Sequence, residues 1–130
     1  MNILLVDDDE SFRGMVQTML TRMGHRTTAV SDGEQAVRQY RQGTFDLVIT
    51  DLIMPEREGL DTIRTLLRET ANVKIIAMSG GGRAGPSAYL NIAERLGATA
   101  TLTKPFSRQE LQTAIDCCAT GPSDETARML

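Results

Sequence analysis

The stretch "LLVDDDESF", residues 4–12, runs from aliphatic residues straight into four acids, Asp7, Asp8, Asp9 and Glu10. Charges packed this closely repel, by about 4 kcal/mol per pair at 4 Å for an effective dielectric of ~20. Three more residues carry complementary chemistry: Asp51 in "VITDLIMPEREG", Ser79 in "IIAMSG" and Lys104 in "TLTKPFS". Clustered carboxylates without imidazole or thiolate suit a hard, oxygen-seeking cation. Mg²⁺ needs only one or two of them, plus waters and a phosphate oxygen. A carboxylate is also a nucleophile that can form an aspartyl phosphate. A metal then neutralises the developing charge, and donors such as Lys104 and Ser79 hold the phosphoryl oxygens. The chemistry implied is phosphoryl transfer to one aspartate; residue type alone leaves open which.

These residues converge only if the right elements carry them. Five short apolar runs read as strands: "NILLV" (2–6), "RTTAV" (26–30), "FDLVIT" (45–50), "VKIIAM" (73–78) and "ATATL" (98–102). The first, third and fourth are nearly continuously aliphatic, as in parallel strands covered by helices on both faces. Between them, apolar residues recur at helical spacing. Examples are Phe12, Met15, Val16, Met19, Leu20 and Met23; Leu60, Ile63, Leu66 and Leu67; and Leu111, Ala114 and Ile115. Gly24, Gly43, Gly97 and Gly121-Pro122 punctuate the pattern. Five βα units in a row imply one doubly wound α/β domain with a five-stranded parallel sheet and five helices. In such sheets ligands sit outside the carboxyl ends of the strands. Asp7, Asp8 and Asp9 follow strand one, Asp51 strand three, Ser79 strand four and Lys104 strand five, so all are expected on one edge.

The remaining composition narrows the function. A chain of 130 residues with 41% hydrophobic content suits a single domain. The expected boundaries are a domain over 1–119 and a short polar tail over 120–130 with no output domain. A net charge of −3 argues against nucleic acid as the partner, because phosphate binding needs a basic face. No apolar run approaches the roughly 18 residues of a membrane span, and no signal-peptide pattern opens the chain, so a soluble, cytoplasmic protein is expected. Cys117 and Cys118 are neighbours, which is not metal-ligand spacing; they read as reduced helix residues. His25, the single histidine, reads as a solvated turn residue.

"LLVDDDE", "VITDLIMPEREG", "IIAMSG" and "LGATATLTKPF", in this order and spacing, resemble the receiver domain of two-component response regulators, a CheY-like, flavodoxin-like family. The resemblance covers residues 2 to about 119. It implies that Asp51 is phosphorylated from a phosphohistidine donor, on a sensor histidine kinase or a histidine phosphotransfer protein. It implies that Asp7 and Asp8, with Asp51 and the backbone carbonyl of Ile53, hold Mg²⁺ or Mn²⁺. Ser79 matches the switch hydroxyl and Lys104 the lysine that pairs with the phosphoryl group. The domain would then be a switch rather than an enzyme, acting on a downstream protein. Lys104-Pro105 resembles a bond that is cis in the family. Pro55 reads as fixing the loop that carries the Ile53 carbonyl, and Gly59 as permitting the turn into helix three. Asp9 sits where helix one begins and reads as a cap.

Two positions depart from the family pattern. Thr101, three before Lys104, stands where many receivers carry an aromatic that swings inward, and a threonine is too small for that movement. "SGGGRAGPSAYL" places Lys104 25 residues after Ser79, which predicts a longer, glycine-rich loop after strand four that reorders on phosphorylation. Two rival readings compete. Gly80, Gly82 and Gly85 spell G-x-G-x-x-G, but a dinucleotide fingerprint belongs after strand one and needs an acid at the next strand's end. "VDDDES" also resembles the first motif of haloacid-dehalogenase-like phosphatases, with Asp7 as nucleophile and Asp9 as general acid. That reading leaves Asp51 without a role and lacks a later acidic pair for the metal.

Overall fold

The computed structural model describes residues 1–52, 58–70, 72–80 and 86–119. Among them, strands and helices alternate: β1 (Asn2–Val6), α1 (Glu10–Arg22), β2 (Arg26–Val30), α2 (Gly33–Gln42), β3 (Leu47–Asp51), α3 (Glu58–Glu69), β4 (Ile75–Ser79), α4 (Pro86–Leu96), β5 (Ala100–Thr103) and α5 (Arg108–Ala119). The strands form one parallel sheet in the order β2-β1-β3-β4-β5. The expected doubly wound architecture is therefore present. None of the described helices is long and apolar enough to cross a membrane.

Strand periodicity divides the core into two. Ile3 and Leu5 point to one face with Leu47, Ile49, Ile76 and Met78, where Val16 and Leu20 of α1 and Leu111, Ala114 and Ile115 of α5 cover them. Leu4, Val6, Val48, Ile75 and Ala77 point to the other, against Ala36 of α2, Ile63 and Leu66 of α3, and Leu90 and Ala93 of α4. A central strand packed on both faces has little room for polar side chains before its carboxyl end, which is why β3 and β4 stay apolar up to Thr50-Asp51 and Ser79.

Three strands start and end later than the apolar runs suggest. Leu47–Asp51, Ile75–Ser79 and Ala100–Thr103 replace the expected 45–50, 73–78 and 98–102. Burial and ladder pairing are separate conditions. Val73 is buried, yet its amide donates to Thr70 O at 3.2 Å in the turn after α3. Asp46 is occupied in tying the chain to Asn2, whose amide donates to Asp46 Oδ2 at 2.7 Å. Of the apolar residues at helical spacing in α1, Met15 is 46% exposed, whereas Met19 and Met23 pack against the core. It lies outside the arc that α1 presents to the sheet.

Helix starts follow side-chain chemistry. Asp9 caps α1 by accepting from Phe12 N at 3.1 Å, as expected, and Asp32 caps α2 by accepting from Gln35 N at 2.8 Å. Ser107 and Glu110 form a reciprocal capping box at α5, with both bonds at 3.0 Å. Gly24 (φ 91°) and Gly97 (φ 119°) close α1 and α4 in the left-handed region.

Candidate functional site

The sheet reverses its winding direction at β1 and β3, and register decides what meets there. Val6 pairs with Thr50, so Asp7 and Asp51, 44 positions apart in sequence, emerge side by side. Asp51 pairs with Met78 and Ser79 with Thr103, so Ser79 and Lys104 lie one step further along the same edge. Lys104 N donates to Ser79 O at 3.0 Å, which ties the loop after β5 to the end of β4.

Asp7 is fully buried and held on every side. Its amide donates to Val30 O at 3.2 Å, its Oδ1 accepts from Asp9 N at 2.9 Å, and its carbonyl accepts from Arg13 Nη1 at 2.8 Å. Asp51 is 4% exposed, and Asp8 is exposed. Carboxylate oxygens of Asp7, Asp8 and Asp51 all lie within 4.8 Å of one another. Lys104 bridges two of them: Nζ is 2.7 Å from Asp7 Oδ2 and 3.0 Å from Asp51 Oδ2. Burial is the largest single influence on Lys104 and pulls its pKa down. The hydrogen bond to Asp7 and the charge of Asp51 outweigh it, so the ammonium is held above the ordinary lysine value. The structure thus brings together Asp7, Asp8, Asp51 and Lys104. An all-oxygen donor set of this size fits Mg²⁺ or Mn²⁺.

Ser79 is fully buried, and its Oγ has no hydrogen-bond partner among the described residues. A buried hydroxyl left so costs about 1–3 kcal/mol, a penalty that a ligand oxygen would relieve. An open cleft of about 420 Å³ lies between Asp8, Phe12, Asp51, Gly80, Lys104 and Pro105. Asp51 lines this cleft and Asp7 does not.

Two glycines make the geometry possible. A Cβ on Gly59 would sit 2.3 Å from Asp51 O and 2.6 Å from Leu52 Cα. Gly59 therefore lies inside α3 and lets that helix approach the end of β3. Close approach replaces the turn-forming role expected for it. A Cβ on Gly80 would sit 2.4 Å from Lys104 Cβ, so a bare backbone there lets the lysine stem cross the edge. Neither role is legible in sequence, because the partner atoms come from distant elements.

The other expected positions divide. Lys104-Pro105 is cis, as expected. Thr101 is on β5, half-buried, paired with Ala77. Ile53, Pro55, Gly82, Gly85, most of the loop after β4 and the 120–130 tail lie outside the described residues. His25 is half-buried, not fully solvated; burial and the N-terminal ammonium, 3.2 Å from Nδ1, lower its pKa. Phe12, read from sequence as core stripe only, also reaches the site: Lys104 Nζ lies 4.3 Å from its ring centroid.

Comparison with known proteins places this geometry. The profile of the response regulator receiver domain family matches residues 3–116. The chemotaxis protein CheY of Thermotoga maritima is 30% identical over 115 residues, covering 88% of this chain and 93% of that protein. An uncharacterized transcriptional regulatory protein of Bacillus subtilis, YcbL, is 34% identical over 109 residues, covering 83% of this chain and 46% of its own length. The chain likewise spans less than half of two other curated relatives, 43% and 23%. Among solved structures, the response regulator TrrA of Thermotoga maritima in complex with Mg²⁺-BeF superposes with a TM-score of 0.79 at 26% identity, covering 90% of this chain and 97% of that one. The phosphatase alternative finds no support in these matches, and Asp9, its general acid, is the cap of α1.

Proposed function

Because the chain belongs to the response regulator receiver domain family, we propose that it is a phosphoacceptor switch in which Asp51 takes a phosphoryl group from a phosphohistidine donor in the cytoplasm. As a receiver it is a signalling domain. The donor would be a sensor histidine kinase or a histidine phosphotransfer protein. An Asp51 oxygen attacks phosphorus, the P–N bond to imidazole breaks, and the departing ring nitrogen keeps the electron pair. Both carboxylates touch Lys104, and Asp51 is favoured over Asp7 as nucleophile because it borders the cleft, which Asp7 does not.

Asp7, Asp8 and Asp51, with the Ile53 carbonyl, would hold the metal, and the complex of TrrA with Mg²⁺-BeF supports Mg²⁺ as the ion. Mg²⁺ or Mn²⁺, when bound, supplies the positive charge that lets an anionic donor approach three carboxylates. Lys104 already touches Asp51 and is placed to follow the negative charge onto a phosphoryl oxygen. Ser79 holds a hydroxyl in reserve for another. Its turn toward the phosphoryl group would begin the change of surface seen by the partner. Thr101 leaves this switch without the usual aromatic, so the hydroxyl half carries more of it. The face of α4, β5 and α5 would meet a downstream protein, and α1 with the site loops would meet the donor. Relatives that regulate transcription suggest that any DNA contact lies in other domains of such proteins.

The observation that carries this reading is the oxygen trio within 4.8 Å, two members of which, Asp7 and Asp51, are bridged by one lysine. Incubation with Mg²⁺ and acetyl phosphate, reductive trapping of the acyl phosphate and peptide mass spectrometry test it. Label on Asp51, absent in Asp51→Asn, is the expected result. Label on Asp7 overturns it.

A further inference from the structure

Lys104 is held by more than its two carboxylates. A lysine ammonium has three N–H donors. Two reach Asp7 and Asp51, and the face of Phe12 lies 4.3 Å from the same nitrogen. The ring itself is braced: Phe106, buried after β5, meets it edge to face with centroids 5.6 Å apart and planes at 85°. The stem of Lys104 passes the bare backbone of Gly80. The lysine is thus confined along its stem, at its head by two anions, and on a further side by an aromatic face.

We propose that Phe12 is a positioning residue for phosphoryl capture, holding the Lys104 ammonium by a cation–π contact where the phosphoryl oxygens will arrive. This rests on the phosphoacceptor reading above. When charge moves from Asp51 onto a phosphoryl group, the ammonium must follow it without drifting into solvent. Asp51 cannot guide that step, because it is the group being modified; Asp7 holds the ammonium from one side and the Phe12 face holds it from another. Phe12 takes no part in the bond changes and keeps its grip throughout. The contact is strong only where water is excluded, and the Lys104 side chain is 16% exposed. Sequence periodicity makes Phe12 an ordinary α1 core residue; only its position over Lys104 gives it a second role.

The test compares wild type with Phe12→Leu, which keeps apolar bulk without a π face, and Phe12→Tyr, which keeps the face. Three readouts are taken: beryllofluoride affinity in excess Mg²⁺, the rate of Asp51 labelling by acetyl phosphate, and the proton shift of the Lys104 ε-methylene. Phe12→Leu is expected to weaken beryllofluoride binding and slow labelling by about two- to tenfold. It should also abolish the upfield ring-current shift. Phe12→Tyr should keep all three near wild type. Leucine behaving as wild type, or tyrosine falling as far as leucine, overturns the role of Phe12 alone. A wild-type chain with a ring-shifted Lys104 signal but no label on Asp51 overturns the phosphoacceptor reading, and the role of Phe12 with it.

Discussion

Replacing Lys104 by methionine keeps a stem of similar bulk beside Gly80 and Phe12 and removes the charge. The consequence follows from what remains. Asp7 and Asp51 are almost wholly buried, and their oxygens approach within 4.8 Å. Two like charges at 4.8 Å repel by about 3.5 kcal/mol at an effective dielectric of ~20. Removing one partner of a buried ion pair costs about 3–5 kcal/mol in other proteins, which agrees. Lys104→Met should therefore lose about 3 kcal/mol of stability in EDTA at neutral pH, roughly 10 °C in melting temperature for a domain of this size. Mg²⁺ should repair most of that loss, since a ligand at a hundred times its Kd adds about 2.7 kcal/mol to whichever form binds it. It should help the variant more than the wild type, where Lys104 already neutralises part of the cluster. Urea unfolding followed by circular dichroism, with EDTA and with Mg²⁺, measures both. Alkaline pH gives an independent check. The folded pKa of Lys104 is raised above 10.5, so its contribution is fully present below the unfolded value. It drains away as pH rises from there through the folded pKa. The gap between wild type and variant should therefore be flat across neutral pH and close only in that alkaline range. Equal stability of the two proteins in EDTA, or equal gains from Mg²⁺, would refute the reasoning.

Asp9→Ala should cost about 1 kcal/mol through the lost cap on α1 and leave labelling of Asp51 intact; lost labelling would restore a catalytic role for Asp9. Asp8→Asn should weaken Mg²⁺ binding in a fluorescence or calorimetric titration, and an unchanged titration would remove Asp8 from the metal set. Gly59→Ala should cost about 1–3 kcal/mol and slow labelling, because the clash is with the backbone of Asp51 and Leu52, which cannot swing aside as a side chain would. Burial, with Cys117 adding to it, pushes the Cys118 thiol up to about 11. At pH 8 the folded protein should accordingly alkylate at exposed Cys117 alone, with Cys118 reacting only after unfolding.

Much of this protein is legible along the chain because its physics is local. Aliphatic runs alternating with helical periodicity demand a parallel sheet covered on both faces, and an acid at the mouth of α1 satisfies amides that are free in any helix. The polar residues that matter stand at strand ends, and a parallel α/β sheet sends all those ends to one edge. Asp7, Asp8, Asp51, Ser79 and Lys104 are therefore legible as one group in the sequence. Strand ends at 45–46, 73–74 and 98–99 were not legible, because pairing depends on a partner's register rather than on a residue's own burial.

Tertiary structure alone decided how the collected residues divide their work. Register sets Asp7 beside Asp51. Packing then buries Asp7 under its own loop and leaves Asp51 on the cleft, a difference that two identical side chains cannot announce. Gly59 and Gly80 look like loop punctuation until the backbone of β3 and the stem of Lys104 pass within contact distance of them. Phe12 looks like core until Lys104 arrives over its ring from the far end of the chain. Sequence determines which groups exist and which local elements carry them; which of them touch is settled by the long-range packing that folding imposes.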